Sequence, residues 1–354
     1  MGTFQKVIKA TNKFNSKIIV NQNNKKEIEY FGELTTDSYV DISGFHTFLA
    51  FESFDKIIYL IYTNRNLSIV FYNLNNFQKI NEIKKAHNSD ITSFRHYVDN
   101  MNKRDLIISL SYNDSNIRLW NIKNCECLLN IKNIYKNGGL ISACIFNNKN
   151  QTNIVSSSNS IIYAFDLNGD LTKEISCYSQ NKIFYIDNYY DKKSYKNYII
   201  VCTYFMIKSY DYNKNKLYQE YHNKKSSNNN FIINDNEKIT KLIVPCSDSI
   251  IRIWDFHSAK LLKNIKIPKN YDECLERFCL WNNDYILAAY EYLCTDKERE
   301  LKLINLNTGN IFQKFEGYTE GILTLKKINL PNVGECLITQ GRGDVQIKLY
   351  KFKN

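Results

Sequence analysis

The sequence predicts an all-β protein assembled from seven copies of one strand-rich repeat. Two observations predict this fold class: a short apolar pattern recurs along the chain, and its spacing is nearly constant. The clearest copies are residues 117–122, Ile-Arg-Leu-Trp-Asn-Ile, and residues 251–256, Ile-Arg-Ile-Trp-Asp-Phe. Aligning the other copies on the Trp position gives seven anchors, each 44 to 50 residues from the next. The anchors are Tyr72, Trp120, Phe165, Tyr210, Trp254, Ile304 and Tyr350.

Each copy is apolar on both faces of its predicted strand. An aliphatic residue stands three positions before every anchor, and an apolar residue stands two positions after it. Because side chains alternate across a strand, these two positions point to opposite faces. A strand that is apolar on both faces must be covered on both, which sheets stacked radially against their neighbours achieve.

The second repeat carries the most specific residues. Ala86-His87 opens it, and Asp114 precedes Trp120 by six residues. In these features the sequence resembles the WD-repeat β-propellers, whose blades contain four strands and about 40 to 45 residues. The resemblance implies a structural hydrogen-bond network that includes His87, Asp114 and Trp120. The other repeats lack the His, so we expect the network in one blade at most and packing alone in the others.

Turn signals divide each repeat into four strands. In the third repeat we predict strands at residues 140–146, 153–157, 161–166 and 171–175. The last repeat ends at its third strand, and residues 27–31 are the candidate for the missing outer strand, which closes the ring and removes free sheet edges. We therefore predict a seven-bladed β-propeller of four-stranded antiparallel blades over residues 26–354, closed by an N-terminal strand. Residues 1–25 form a predicted N-terminal extension.

Composition favours a protein that resides inside the cell. No segment approaches the roughly 18 consecutive apolar residues that a membrane helix needs, and the first residues lack the apolar core of a signal peptide. The ten cysteines are scattered, as expected for buried small residues in a reducing compartment. We expect an intracellular protein without a membrane interaction, cytoplasmic rather than nuclear.

Catalytic and metal-binding motifs are missing from the sequence. It contains no Gly-x-Ser-x-Gly, Gly-x-Gly-x-x-Gly, Walker-type or His-Glu-x-x-His pattern. Cys125-Glu126-Cys127 lacks the Cys-x-x-Cys spacing of zinc sites. We therefore expect no enzymatic activity, no cofactor and no metal.

The resemblance implies a protein-interaction scaffold or adaptor that presents loops as a rigid platform for peptides or subunits. The residues that precede the turns between the second and third strands, together with two arginines, form a candidate partner-binding rim. The rim residues are Arg65, Arg95, Asn113, Ser158, Thr203, Ser247, Lys297 and Arg342. Convergence of its cationic side chains favours an acidic or phosphorylated peptide, because guanidinium groups pair bidentately with such anions.

Charge supports a second hypothesis. The sequence has 47 Lys and Arg against 36 Asp and Glu, a net charge of +11, so a nucleic-acid or ribonucleoprotein-associated propeller is the alternative. The basic residues occur as short pairs spread along the chain, which is more typical of solvated turns. These pairs are Lys84-Lys85, Lys192-Lys193, Lys224-Lys225 and Lys326-Lys327. Other proteins are therefore the expected partners, with the protein a monomer within a larger complex.

Overall fold

The computed structural model describes residues 28–35, 48–64, 66–111, 113–132, 142–149, 151–177, 182–203, 206–222, 231–235, 239–246, 248–267, 273–292, 299–318, 322–341 and 346–352. Within these residues every regular element is a β-strand, and the strands form seven four-stranded antiparallel sheets. The predicted fold class, a seven-bladed β-propeller, is confirmed. We number the sheets 1 to 7 in sequence order.

The four strands of sheets 1 to 6 follow one another in sequence, whereas the first strand of the protein, β1 (Ile28–Thr35), belongs to sheet 7. Sheet 1 contains β2 (Phe48–Glu52), β3 (Ile58–Thr63), β4 (Ile69–Asn73) and β5 (Gln78–Ile83). Sheet 2 contains β6 (Ile91–Asp99), β7 (Arg104–Ser111), β8 (Ile117–Asn121) and β9 (Glu126–Ile131). Sheet 3 contains β10 (Ala143–Asn148), β11 (Gln151–Ser158), β12 (Ile161–Phe165) and β13 (Leu171–Ser176).

The remaining sheets repeat this order. Sheet 4 contains β14 (Tyr185–Asp191), β15 (Lys196–Cys202), β16 (Met206–Asp211) and β17 (Lys216–His222). Sheet 5 contains β18 (Ile232–Asp235), β19 (Thr240–Pro245), β20 (Ile250–Asp255) and β21 (Leu261–Lys266). Sheet 6 contains β22 (Glu273–Leu280), β23 (Tyr285–Tyr292), β24 (Arg299–Asn305) and β25 (Ile311–Tyr318). Sheet 7 contains β26 (Ile322–Leu330), β27 (Gly334–Gly341), β28 (Gln346–Phe352) and β1.

The N-terminal strand β1 completes sheet 7 as its outermost strand. It pairs antiparallel with β28 along its whole length, with one bulge between Tyr30 and Gly32. The ring of Tyr30 packs edge-on against Tyr350, with 5.9 Å between the ring centroids. The predicted N-terminal strand is therefore present, and it continues past residues 27–31 to Thr35.

The protein divides into two compact units, which we describe separately. One is Ser43–Asn264, and the other combines Met1–Ile42 with Ile265–Asn354. The first unit holds sheets 1 to 5, apart from the end of β21, and the second holds sheets 6 and 7. The single propeller domain over residues 26–354 stays a prediction, and the predicted extension over residues 1–25 lies outside the described residues.

The apolar core lies between consecutive sheets. In the unit of sheets 1 to 5, the first strands of neighbouring sheets are in contact: β2 with β6, β6 with β10, and β10 with β14. One buried cluster joins sheets 1 and 2 through Phe71, Ile107 and Trp120. Another joins sheets 4 and 5 through Tyr198 and Trp254. The strands that are apolar on both faces thus bury one face against each neighbouring sheet.

The hairpins between the third and fourth strands share one turn, and it explains why Asn or Asp follows most anchors. In sheet 1, Asn73 Oδ1 accepts a hydrogen bond from the backbone N–H of Asn75 at 2.8 Å, as in an Asx turn. Phe77, four residues after Asn73, has a φ of 57°. The corresponding residue caps the turn in the next five sheets as well: the N–H two residues on is bound by Asn121, Asp166, Asp211 and Asn305, and the N–H three residues on by Asp255.

Candidate functional site

Sheet 2 contains a continuous series of buried hydrogen bonds. Nε2 of His87 lies 2.7 Å from Oγ of Ser109, and the indole N–H of Trp120 donates to the same oxygen at 2.8 Å. Nδ1 of His87 lies 3.2 Å from Oδ2 of Asp114. The structure therefore brings His87, Asp114 and Trp120 together, with Ser109 as the residue that connects them.

The partners in this network fix the tautomer of His87. The ionised carboxylate of Asp114 can only accept, so Nδ1 of His87 carries the proton. Nε2 of the neutral imidazole then accepts from the Ser109 hydroxyl, whose oxygen accepts the indole N–H of Trp120. Burial lowers the pKa of His87, although Asp114 opposes this effect, and the imidazole is neutral. Burial acts to raise the pKa of Asp114, but the hydrogen bond from His87 and two backbone N–H groups outweigh it and lower that pKa to about 2.

The network holds the turn between β7 and β8. The carboxylate of Asp114 accepts the backbone N–H groups of Asn88 and Asn116, each at 3.1 Å. The neighbouring residue Asn113 is exposed in this turn. The buried network therefore orients a polar turn.

Sheet 5 keeps the Trp but not the network. Val244 occupies the position in β19 that Ser109 occupies in β7, two residues beyond the partner of the anchoring Trp. Val244 has no hydroxyl, and the buried Nε1 of Trp254 makes no hydrogen bond among the described residues. Arg252 donates from Nη2 and Nη1 to the two carboxylate oxygens of Asp248, at 2.7 and 3.1 Å. In the absence of a His, the turn residue Asp248 is thus paired with Arg252.

Tyrosine hydroxyls connect sheets that have no such network. Tyr212 donates to Oδ1 of Asn153 at 2.8 Å and joins sheets 4 and 3. Tyr189 donates to Oδ2 of Asp235 at 3.0 Å and joins sheets 4 and 5. Burial raises the pKa of both tyrosines to about 12, so the hydroxyls remain protonated donors. These links give a structural role to part of the unusually high Tyr content, 26 residues.

Four of the eight candidate rim residues lie in the described part of the protein, and one of them, Asn113, is exposed in the turn between β7 and β8. Ser158 is buried at the end of β11. Thr203 is fully buried, and its hydroxyl donates to the carbonyl of Met206 at 3.0 Å, which closes the turn after β15. Arg95 lies in the middle of β6. The other four candidates, Arg65, Ser247, Lys297 and Arg342, lie outside the described residues.

Arg95 shares its register position with residues of the next two sheets. It lies opposite Ile108, and the residue before Ile108 pairs with the anchor Trp120. In the next two sheets the equivalent position is occupied by Cys144 on β10 and by Asp187 on β14. Because β6, β10 and β14 are neighbours, these side chains form one row. Tyr185 precedes Asp187 by two positions on the same side of β14, and we call these four residues the first-strand polar row.

The groups of this row interact with one another. Cζ of Arg95 lies 5.3 Å from the ring centroid of Tyr185, and the Tyr185 hydroxyl donates to Oδ2 of Asp187 at 3.0 Å. Burial lowers the pKa of Arg95, but the electrostatic effects of Tyr185, Asp187 and Cys144 outweigh it and leave that pKa above its ordinary value. Burial raises the pKa of the Cys144 thiol well above its ordinary value. The row therefore combines a guanidinium cation with a neutral thiol and a bonded carboxylate.

Sequence reasoning found Arg95 but missed the rest of the row. Arg95, Cys144 and Asp187 precede their anchors by 25, 21 and 23 residues. The offset varies because both connections, from the first to the second strand and from the second to the third, differ in length among the sheets. Only the strand pairing reveals that the three positions are equivalent.

Neither a protein-family model nor a curated protein sequence matches this protein. Among the described residues, no group of three His, Cys, Asp or Glu side chains is placed to hold a metal ion. In the same residues, no helix is long and apolar enough to cross a membrane. Function is therefore inferred from the fold and from the residues described above.

Proposed function

We propose that the protein is a non-catalytic interaction scaffold or adaptor that binds other proteins at the strand ends where the turn between β7 and β8 lies. One observation carries this proposal: that turn is held rigidly by the buried network of His87, Ser109, Asp114 and Trp120. A preorganised surface loses little conformational entropy on binding, which favours affinity for a partner. In this proposal the protein acts inside the cell, in the cytoplasm, as a monomer within a larger complex.

We also propose that the protein is a divergent WD-repeat protein. The support is the network in sheet 2, where His87, Asp114 and Trp120 are joined as the resemblance implies. Ser109 provides the link between His87 and Trp120. The propeller fold is shared by proteins of many functions, so the fold alone does not assign one.

Several lysines favour a protein partner over nucleic acid because they are engaged within the fold. Lys173 Nζ donates to the carbonyl of Tyr212 at 2.7 Å. Lys208 pairs with Glu220 at 2.8 Å, and its side chain is only 7% exposed. Such lysines do not contribute free charge to a surface that would bind a phosphate backbone.

Affinity capture tests the proposed function. The tagged full-length protein is captured from its own cells at low and high salt, with and without nuclease, and its partners are identified by mass spectrometry. Protein partners that survive both treatments support the scaffold. Partners that are lost on nuclease treatment, with a steep salt dependence, contradict it and support the nucleic-acid alternative.

Two substitutions on one sheet test which end of the strands binds. Asn113→Arg places a large charge at the turn between β7 and β8, and Met101→Arg places the same charge at the hairpin between β6 and β7, at the opposite end. Met101 is 79% exposed, so the control change does not disturb the core. We expect Asn113→Arg to remove the captured partner and Met101→Arg to leave it bound. The reverse result contradicts the assignment of the binding end.

A further inference from the structure

The guanidinium of Arg95 is the unusual group of the first-strand polar row. Its Nη1 donates to the carbonyl of Phe94 at 3.0 Å and to Oγ of Ser93 at 3.4 Å. Its Nη2 is buried and makes no hydrogen bond among the described residues. A buried donor without an acceptor is unfavourable, and a charged one more so, so its presence calls for a ligand or another specific explanation.

Comparison with Arg252 shows that the fold is able to satisfy a partly buried guanidinium. Both terminal nitrogens of Arg252 bond to the carboxylate of Asp248. Asp187, the nearest carboxylate in the row, is instead occupied by the Tyr185 hydroxyl at 3.0 Å and by the backbone N–H of Asn188 at 2.9 Å. Among the described residues Asp187 forms no hydrogen bond with Arg95, so Nη2 stays available for an external acceptor.

The side chain of Arg95 points toward the strand ends that carry the turn between β7 and β8. Its hydrogen bonds to Ser93 and Phe94 show that the side chain turns back along β6 toward the start of that strand. Ser93 lies opposite Leu110, one residue from the end of β7 and about 3 Å along the strand. A group that enters from this turn therefore needs to extend only a short way to meet Nη2.

We propose that Arg95 is a binding site for one carboxylate of a partner protein, with Tyr185 stacked against the guanidinium. This inference rests on the proposed scaffold function and names the chemistry that the scaffold recognises. A guanidinium holds a carboxylate through parallel hydrogen bonds. Bringing an anion to the buried Nη2 removes water from that anion, and this desolvation cost rises with the square of the charge, so it is larger for a phosphate than for a carboxylate. The negative charge of Asp187 opposes a phosphate further. The site therefore prefers a carboxylate, from an acidic side chain or from the terminus of a polypeptide, to a phosphate.

Nuclear magnetic resonance of the arginine side chains tests the site directly. The sequence has eight Arg, so selective labelling of arginine with ¹⁵N gives few signals, and Arg95→Met assigns the one of interest. Wild-type protein is titrated with sodium acetate, sodium chloride or inorganic phosphate at equal ionic strength. We expect acetate to shift the Arg95 signal saturably, chloride not to shift it, and phosphate to act more weakly. Arg252, already paired, is the internal control and should not move.

Two peptides separate the sources of the carboxylate. Acetyl-Gly-Glu-Gly-amide has its only carboxylate on the Glu residue, and acetyl-Gly-Gly-Gly has its only carboxylate at the terminus. A saturable Arg95 shift with either peptide supports the site and identifies the source. An Arg95 shift no larger than that of Arg252 overturns the proposal, and so does a stronger response to phosphate than to acetate.

Thermal unfolding without ligand provides a second readout. Arg95→Met removes an unpaired donor and should melt at or above the wild-type temperature, because binding groups often lower the stability of the free protein. Arg252→Met leaves Asp248 without its partner and should melt lower. A decrease for Arg95→Met as large as that for Arg252→Met shows a structural arginine and contradicts the proposal. An acetate-dependent shift of the Arg95 signal, together with failure to capture any protein partner, would support the carboxylate site and contradict the scaffold function.

Discussion

Nε2 of His87 and Oγ of Ser109 lie 2.7 Å apart in the interior of sheet 2, and this contact joins the loop before β6 to the second strand. The same Ser109 oxygen accepts the indole N–H of Trp120 at 2.8 Å on the third strand. One hydroxyl therefore connects three segments of the protein. His87 extends the connection to Asp114 and so to the turn between β7 and β8.

Removing the Ser109 hydroxyl should destabilise the protein more than removing a comparable hydroxyl elsewhere. In Ser109→Ala, both the Trp120 N–H and His87 Nε2 lose their partner, and each buried group left unpaired costs about 1 to 3 kcal/mol. Ser156 occupies the corresponding position in sheet 3, where it donates to one carbonyl at 3.0 Å. Its change to Ala should lower the free energy of unfolding by about 1 kcal/mol. Denaturant unfolding of the two variants checks this, and equal losses would show that the network adds nothing.

Stability should fall in mild acid because His87 is held neutral. Its pKa in the folded protein is below the ordinary value of 6.5, so protons bind the unfolded protein more readily. The contribution of His87 is complete above pH 6.5 and is lost as the pH falls below it. Asp114 contributes above its ordinary value of 3.8 and loses that contribution as the pH falls toward about 2.

The melting temperatures of wild type and His87→Gln, compared between about pH 7 and pH 5, isolate this effect. The two proteins differ only at position 87, so every other contribution to the pH dependence cancels in the comparison. We expect wild type to lose more stability than His87→Gln over this range. Parallel curves would show that the protonation of His87 is not linked to folding.

A hydroxyl at position 244 should partly restore the missing bond in sheet 5. Val244→Thr supplies an acceptor near the unpaired N–H of Trp254 at nearly constant volume. Val201 occupies the same register position in β15, is equally buried and has no Trp as its anchor, so it is the matched control. A buried hydroxyl without a new partner costs about 1 to 3 kcal/mol. Val244→Thr should therefore be more stable than Val201→Thr by about 1 kcal/mol in denaturant unfolding, and the opposite order contradicts this account of Trp254.

Substitution of two glycines distinguishes the cost of backbone strain from the cost of steric crowding. Gly309 and Gly334 have φ values of 80° and 88°, so an Ala at either position is strained by about 1 to 2 kcal/mol. A Cβ at Gly334 meets no atom within 4 Å, whereas one at Gly309 lies 3.0 Å from Ile265 Cγ2 and 3.2 Å from the Lys266 carbonyl. Gly309→Ala should therefore lose about 1 to 3 kcal/mol more than Gly334→Ala. Equal melting temperatures for the two variants would show that the contact with Lys266 relaxes freely.

Much of the fold was predictable because the third strand of each repeat carries a fixed pattern. In sheet 3 the predicted strands at residues 153–157, 161–166 and 171–175 coincide with β11, β12 and β13 to within two residues. The first strand was predicted at residues 140–146 and is found at Ala143–Asn148. The first strands are less regular in sequence because they follow loops of different length.

The candidate site was less predictable for a related reason. Position before a turn does not determine where a short side chain points, and Thr203 uses its hydroxyl to close the turn instead of reaching solvent. The equivalence of Arg95 and Asp187 depends on strand register, which hairpin length hides in the sequence. The missing bond of Trp254 likewise depends on Val244, a residue that looks ordinary in an apolar strand.

In the proposed function, the structural network that includes His87 is separate from the binding group, Arg95. The most direct test measures the affinity of the captured partner for wild type, Arg95→Met and His87→Ala at a temperature where all three are folded. We expect Arg95→Met to weaken binding about 10- to 100-fold, the loss of a charged hydrogen bond, and His87→Ala to lower the melting temperature while leaving affinity almost unchanged. Wild-type affinity in Arg95→Met together with lost binding in folded His87→Ala would contradict the account.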